Sequence, residues 1–265
     1  MALRYLSARE NGSVDSMSKI YVVGIGPGGR EYMTPQAEAA ILASDAVVGY
    51  TVYVKLIEHL TEGKKVVSTA MRGEVERARI ALDLALKGKT VSFVSSGDAG
   101  VYGMAGLIRE VAEGHPEVEI ETVPGITAAM SGAAVLGAPL IHDFAVISLS
   151  DLLTSWELIE KRISLAAEAD FVICIYNPKS HKRREHLDKA VDLIMQHRSG
   201  DTPAGYVKNI GRDGQKSVVL KLSELKGNDD IDMFTTVIVG NSQTRVINGE
   251  LVTPRGYDHD GKSEK

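Results

Sequence analysis

Short apolar runs, punctuated by glycine, alternate with stretches of helical period through the first half of the chain. Residues 20–23, 46–50, 65–68, 90–94 and 118–122 are too short for helices and rich in β-branched side chains, so the pattern predicts strands. Helix signals fill the gaps. Thr34 as N-cap and Pro35 at the first helical position start a helix through Ala43. Further helices are predicted over 52–60, 74–87 (closed by Gly88), 104–113 and 128–136. Strand and helix in alternation imply a mostly parallel α/β sheet with both faces covered. The character shifts at Gly137-Ala138-Pro139-Leu140, where a domain boundary is expected. Beyond it the pattern predicts strand 144–148, helix 156–167, strand 171–176 and helix 183–196, then β-rich runs at 204–210, 217–222 and 235–239. The last three follow one another without helices, so antiparallel pairing and an α+β second half are expected. Two domains, 17–137 and 138–255, are thus flanked by an extension at 1–16 and a loose tail at 256–265.

Composition narrows the setting. Hydrophobic residues at 44% and charged residues at 25% are ordinary for a soluble globular protein. A net charge of −5 without blocks of like charge argues against nucleic acid or an anionic membrane as the main partner. The single cysteine, Cys174, lies inside an apolar run, which predicts a core thiol, excludes an internal disulfide and fits a reducing cytoplasm. No apolar run approaches the roughly 20 residues needed to span a bilayer. Residues 1–16 lack the apolar stretch of a signal peptide.

Candidate chemistry concentrates in glycine loops at predicted strand ends. Ser95-Ser96-Gly97-Asp98-Ala99-Gly100-Val101-Tyr102-Gly103 follows the strand at 90–94, and ligands of open α/β sheets bind at such carboxyl ends. Asp98, the one charge there, is the leading ligand-contacting carboxylate, with a plain capping role as the alternative. Gly24, Gly26 and Gly29 match the dinucleotide fingerprint in spacing, but Pro27 interrupts the turn and the helix signal comes only at Thr34. An NAD-dependent reductase or nucleotide-binding module therefore remains a secondary reading. Val123-Pro124-Gly125-Ile126-Thr127-Ala128 is a third loop, in which Thr127 either caps a helix or meets a ligand. Arg72 is a candidate for an anionic group. The seven histidines show no metal-binding spacing, so no metal site is expected. No nucleophile elbow or P-loop is present either. His142-Asp143, the adjacent His–acid pair, is the nominee for proton transfer. Glycine loops with so little acid–base machinery suit chemistry carried by a reactive cosubstrate, such as methyl transfer from a sulfonium.

Gly24-Ile25-Gly26-Pro27-Gly28, Ser96 through Gly103 and Val123 through Ala128 occur in an order and spacing that resemble the tetrapyrrole methyltransferases, the class III S-adenosylmethionine (SAM) enzymes. The likeness covers about residues 19–255. Pro139 through Trp156, Tyr176-Asn177-Pro178-Lys179-Ser180 and Val239-Gly240-Asn241-Ser242 resemble the C17-methylating, ring-contracting branch, which acts on precorrin-3B or cobalt-factor III. Ser155 stands where that branch leads one to expect proline. The resemblance implies a two-domain fold with an active cleft between the halves, usually a homodimer, with SAM as methyl donor. It implies SAM contacts at Pro27, Asp98, Val101, Thr127, Ala128, Tyr176, Asn177 and Ile210. The corrin precursor is expected near Gly26, Gly28 and Gly29, its carboxylates held by a basic rim drawn from Arg72, Lys179, Lys182, Arg183, Arg184 and Lys208. Ring contraction needs acid–base help, for which His142 and Asp143 are the nominees.

Overall fold

The computed structural model of the protein describes residues 18–70 and 72–257; the expected extension at 1–16 and the tail beyond Tyr257 lie outside the described residues. Strands β1 (Ser18–Gly24), β2 (Ala46–Tyr50), β3 (Lys65–Thr69), β4 (Thr90–Ser95) and β5 (Val118–Val123) form one sheet in the order β3-β2-β4-β1-β5. Every pairing in it is parallel. Helices α1 (Pro35–Ala43), α2 (Thr51–Leu56), α3 (Glu74–Leu86) and α4 (Ala105–Val111) supply the crossovers. The Thr34 cap is as expected, its hydroxyl accepting from the Ala37 amide at 3.1 Å.

Alternation of side chains along each strand explains why the inner strands read as unbroken apolar runs. Val22, Val48 and Phe93 face α3 and α4, packing with Ala78, Ala81, Leu82 and Ile108. Their neighbours Val23, Val47 and Val94 face α1 and α2, packing with Ala37, Ile41 and Val54. Both faces are dry.

The second half repeats the arrangement with a mixed sheet. Helix α5 (Ala128–Leu136) leads into β6 (Gly137–Ala138), β7 (Phe144–Ser148), α6 (Trp156–Glu168), β8 (Val172–Tyr176) and α7 (His186–Met195). Then follow β9 (Pro203–Lys208), β10 (Lys216–Lys221) and β11 (Thr235–Val239). The order is β10-β9-β11-β8-β7, parallel only between β7 and β8. Ile173, Ile175, Tyr206, Val237 and Val239 face α6 and α7, while Val172, Cys174, Val207 and Ile238 face α5. Helix α5 therefore belongs in space to the second sheet, and the chain crosses between halves at Pro124–Thr127, ahead of the boundary read at 137/138. Cys174 is the core thiol expected, fully buried, its pKa pushed up to about 12 by that burial.

A third small sheet escapes the sequence pattern. Strands β12 (Arg245–Ile247) and β13 (Glu250–Val252) form a hairpin whose Asn248-Gly249 turn has both φ angles positive, and β13 pairs with β6.

Candidate active site

Three loops leave the carboxyl ends of β1, β4 and β5 and pack backbone to backbone. Gly26 and Gly97 exchange both hydrogen bonds, Gly26 N–H to Gly97 O at 3.0 Å and Gly97 N–H to Gly26 O at 2.7 Å. Both sit at positive φ, 76° and 67°, where a side chain would be strained. A Cβ on Gly125 would lie 2.1 Å from the Gly97 oxygen and 2.6 Å from the Gly24 carbonyl carbon, so the third loop also needs glycine to approach. Asp98 fastens the group. Its Oδ1 accepts from the amides of Gly100 (2.8 Å) and Val101 (3.1 Å), and its Oδ2 accepts from Gly125 N–H at 2.9 Å across to the β5 loop.

The second half closes the other wall. Thr127 precedes α5 but does not cap it with its side chain. Instead Thr127 Oγ1 lies 2.5 Å from the Tyr176 hydroxyl at the end of β8, and that hydroxyl accepts from Ala129 N–H at 2.6 Å. Burial raises the Tyr176 pKa, partly offset by these two bonds. Tyr102 reaches across from the β4 loop at φ 53°. Its hydroxyl donates to Val146 O and accepts from Ser148 N–H, both at 3.2 Å, on the outer strand β7. Asn177, at φ 51°, donates from Nδ2 to Ser148 Oγ at 2.9 Å. Asp98, Thr127, Ala128, Tyr176 and Asn177 are thus gathered at the carboxyl ends of β4, β5 and β8, with Val101 exposed on the β4 loop. Ile210 is buried beneath α5.

The glycine loop after β1 packs against the second half. Pro27 and Gly28 are buried, and Gly29 donates to Gly211 O at 2.7 Å in the loop between β9 and β10. A Cβ on Gly28 would sit 2.0 Å from that same oxygen. The loop leads into a short 3-10 turn at Arg30–Tyr32, and α1 begins only at Pro35. No helix N-terminus meets the glycines, so the pyrophosphate seat of a dinucleotide fold is missing.

Arg212 is the residue that sequence reasoning missed. From the β9–β10 loop its Nε donates to Pro27 O at 2.7 Å and its Nη2 to Ser96 Oγ at 2.9 Å, pinning the second half onto two loops of the first. Burial lowers its pKa, the nearby Tyr53 phenol working against that. The Gly-Arg-Asp-Gly stretch signals only a turn, and nothing in the sequence shows what that turn touches.

Several nominated residues are committed elsewhere. Lys179 Nζ donates to Asn228 O at 2.7 Å, Arg183 Nη1 to Leu149 O at 3.0 Å, and Lys208 pairs with Asp232 at 2.6 Å. Arg72, Lys182 and Arg184 are exposed. His142 and Asp143 precede β7, so they lie at the opposite end of the strand from Ser148, which pairs with Tyr176. At about 3.3 Å per residue, roughly 16 Å separates Asp143 from that end. On this geometry we propose that His142 and Asp143 take no part in the chemistry, because a residue before a strand sits at its amino end while Asp98, Thr127 and Tyr176 gather at carboxyl ends. His142→Ala should therefore leave methyl transfer within about twofold of wild type, since surface substitutions cost little; a loss of tenfold or more in a steady-state assay would restore the nomination.

The site's fit to SAM rests on its own surfaces. A Cβ on Gly97 would lie 3.7 Å from Thr127 Cα and 3.8 Å from Ala128 N, so the missing side chain leaves a cradle between the β4 loop and α5. Exposed Val101, Tyr102 and Ile126 on the same loops offer apolar surface beside the Asp98 carboxylate and free loop backbone, a set suited to a nucleoside with an amino-acid arm. Among the described residues no cluster of three His, Cys, Asp or Glu could hold a metal ion, and no helix is long and apolar enough to cross a membrane.

Residues 19–226 match the family described as tetrapyrrole (corrin/porphyrin) methylases. A probable cobalt-factor III C(17)-methyltransferase of Salmonella typhimurium is 48% identical over 89% of this chain and 98% of its own. The cobalamin biosynthesis protein CbiHC of Archaeoglobus fulgidus is 49% identical over 92% of this chain, which spans only 54% of that longer protein. Among solved structures, the methyltransferase CobJ superposes with a TM-score of 0.83 at 36% identity, covering 89% of this chain and all of its own. Sheet order, strand-end cleft and full-length similarity point the same way: the chain belongs to the tetrapyrrole methylases.

Proposed function

We propose that the protein transfers a methyl group from SAM to C17 of a corrin precursor, precorrin-3B or cobalt-factor III, with contraction of the ring, as a cytoplasmic step of cobalamin biosynthesis. The observation that carries the position is the 48% identity with a relative of that name across nearly the whole of both chains. SAM supplies a methyl on a positively charged sulfur, which leaves as the neutral thioether of S-adenosylhomocysteine once carbon has attacked in line. The protein's task is then mainly positioning, worth several kcal/mol of barrier when two reactants are held in attack geometry.

Pro27, Asp98, Val101, Thr127, Ala128, Tyr176 and Asn177 would hold the donor. Asp98 does so from a loop it also braces, and Tyr176 through the hydroxyl that fixes Thr127 and Ala129. Ile210, buried under α5, would act by supporting Ala128 and Ala129 from behind. The macrocycle would lie over the Gly26–Gly29 loop, with Arg72, Lys182 and Arg184 free to meet carboxylates. A homodimer is part of this reading, supported by fully exposed Leu153 and largely exposed Leu152 in the loop between β7 and α6, an apolar pair suited to an interface.

Incubating the purified protein with SAM and each macrocycle, then analysing products by mass spectrometry and NMR, tests it. One added methyl at C17 in one of the two incubations is expected. Methylation at another carbon, or none in either, would overturn the assignment.

A further inference from the structure

Four arginines of the described residues are at least half-buried by the packing around them, and three have an acidic neighbour. Arg77 lies 3.3 Å from Glu74, Arg183 lies 3.7 Å from Asp151, and Arg198 feels Asp170 while donating to four backbone carbonyls. Arg212 has no carboxylate within ion-pair distance among the described residues. Its Nε and Nη2 are spent on two uncharged acceptors, Pro27 O and Ser96 Oγ. Its Nη1 donates to no acceptor among the described residues. A partly desolvated guanidinium without a counter-charge is costly, and an arriving anion relieves that cost.

The residues around Arg212 on the β2 side point to the anion. Asp98, Gly125, Thr127 and Tyr176 gather on the β5 side of β4. Arg212 bridges the loops after β1 and β4 and lies within electrostatic reach of Tyr53, whose helix follows β2 on the other side of β4. The same side carries Tyr50, whose ring meets that of Tyr53 edge-on at 5.1 Å, and the exposed Arg72 on the loop after β3. These residues put aromatic rings and exposed positive charge next to the loops that carry Pro27 and Ser96.

We propose that Arg212 is a specificity-determining residue that anchors a carboxylate arm of the macrocycle through Nη1, in a subsite walled by Ser96, Pro27 and Tyr53. The proposal rests on the function proposed above. Two carboxylates could reach a guanidinium here, an acid arm of the macrocycle or the amino-acid carboxylate of SAM, and the test separates them.

Full-length Arg212→Met and Arg212→Lys are compared with wild type by calorimetric titration with S-adenosylhomocysteine. Steady-state kinetics then follow on whichever macrocycle the wild type methylates. Losing a charged hydrogen bond should raise the macrocycle KM of the Met variant by roughly 10- to 100-fold over and above any weakening of the S-adenosylhomocysteine Kd that follows from losing the bonds to Pro27 and Ser96. The Lys variant should recover part of that loss, and KM, expected to rise with salt in wild type, should rise less in the Met variant. An unchanged KM overturns the proposal. So does a Kd that weakens as much as KM, which would mark Arg212 as a clasp or a partner of the donor's carboxylate. If the Met variant does not fold, the Lys variant decides by the same split: KM raised by more than Kd weakens supports it, and KM unchanged or Kd weakened equally overturns it. A wild type that methylates neither macrocycle refutes the proposed function itself, whereas active wild type with an indifferent Arg212 refutes only this inference.

Discussion

Gly28→Ala is expected to lower the melting temperature by several degrees and to weaken S-adenosylhomocysteine binding at least tenfold. The backbone of Gly28 is not at positive φ, so alanine can adopt its conformation. The obstacle is contact. The new Cβ would stand 2.0 Å from the Gly211 oxygen and 2.2 Å from its carbonyl carbon, both backbone atoms that no rotamer change can move. Gly211 cannot retreat freely, because a Cβ there would already fall 2.6 Å from the Tyr32 ring. Relief requires the two halves to part at this seam. That breaks the Gly29 N–H bond to Gly211 O and pulls Arg212 from Pro27 O and Ser96 Oγ. Overpacking of this kind costs about 1–3 kcal/mol, or roughly 3–10 °C in a chain of this size. Gly106→Ala is the control. It lies within α4, nothing stands within 4 Å of its Cβ position, and alanine should stabilise that helix by about 0.5–1 kcal/mol. Differential scanning fluorimetry and calorimetry read both, and a Gly28→Ala protein with wild-type melting and wild-type Kd would show that the seam does not bear on the cleft.

That seam also marks where sequence reasoning stops. The inner strands of both sheets were legible because burial on two faces turns them into apolar runs, as for Ala46-Val47-Val48 and Val172 through Ile175. The glycine loops were legible because close backbone approach permits few other residues. The small sheet was not. Its β6 is only Gly137-Ala138 and its β12 is exposed throughout, so neither has an apolar rhythm to read. Arg212 was hidden for a different reason: its partners are 185 and 116 positions away, and a polar turn does not announce what it folds onto. His142 and Asp143 attracted attention by being adjacent, which says nothing about the end of the sheet they occupy. Thr127 was read as a choice between cap and ligand contact. The structure adds a third partner, a tyrosine hydroxyl 49 residues on.

Asp98→Ala should cost both SAM affinity and stability, and Asp98→Asn should separate the two. The carboxylate takes three backbone amides with two oxygens, joining the β4 loop to the β5 loop. A carboxylate has about four lone-pair sites, so one remains for a ligand hydroxyl. Hydrogen bonds to a charged group contribute about 1.5–3 kcal/mol each when the donor is left stranded without them. Gly100 and Val101 are exposed, so water can replace Asp98 at their amides, and most of the structural loss falls on half-buried Gly125. Alanine is therefore expected to cost about 1–3 kcal/mol of stability, and at least tenfold in S-adenosylhomocysteine affinity as the two loops lose their tie. Asparagine keeps one oxygen. Either it faces Gly125, preserving the tie and presenting NH2 to Gly100 and Val101, or it turns round and loses the cross-loop bond. The first arrangement keeps the more enclosed donor satisfied, so Asn should melt close to wild type while still losing affinity, because the spare lone pairs offered to the ligand belong to the charged group. Melting temperature and Kd measured on both variants decide between roles. If affinity falls only in step with stability, Asp98 is a brace for the loops. If the Asn variant keeps its stability and loses its ligand, Asp98 touches the donor directly. Wild-type affinity in the Ala variant would remove Asp98 from the site altogether.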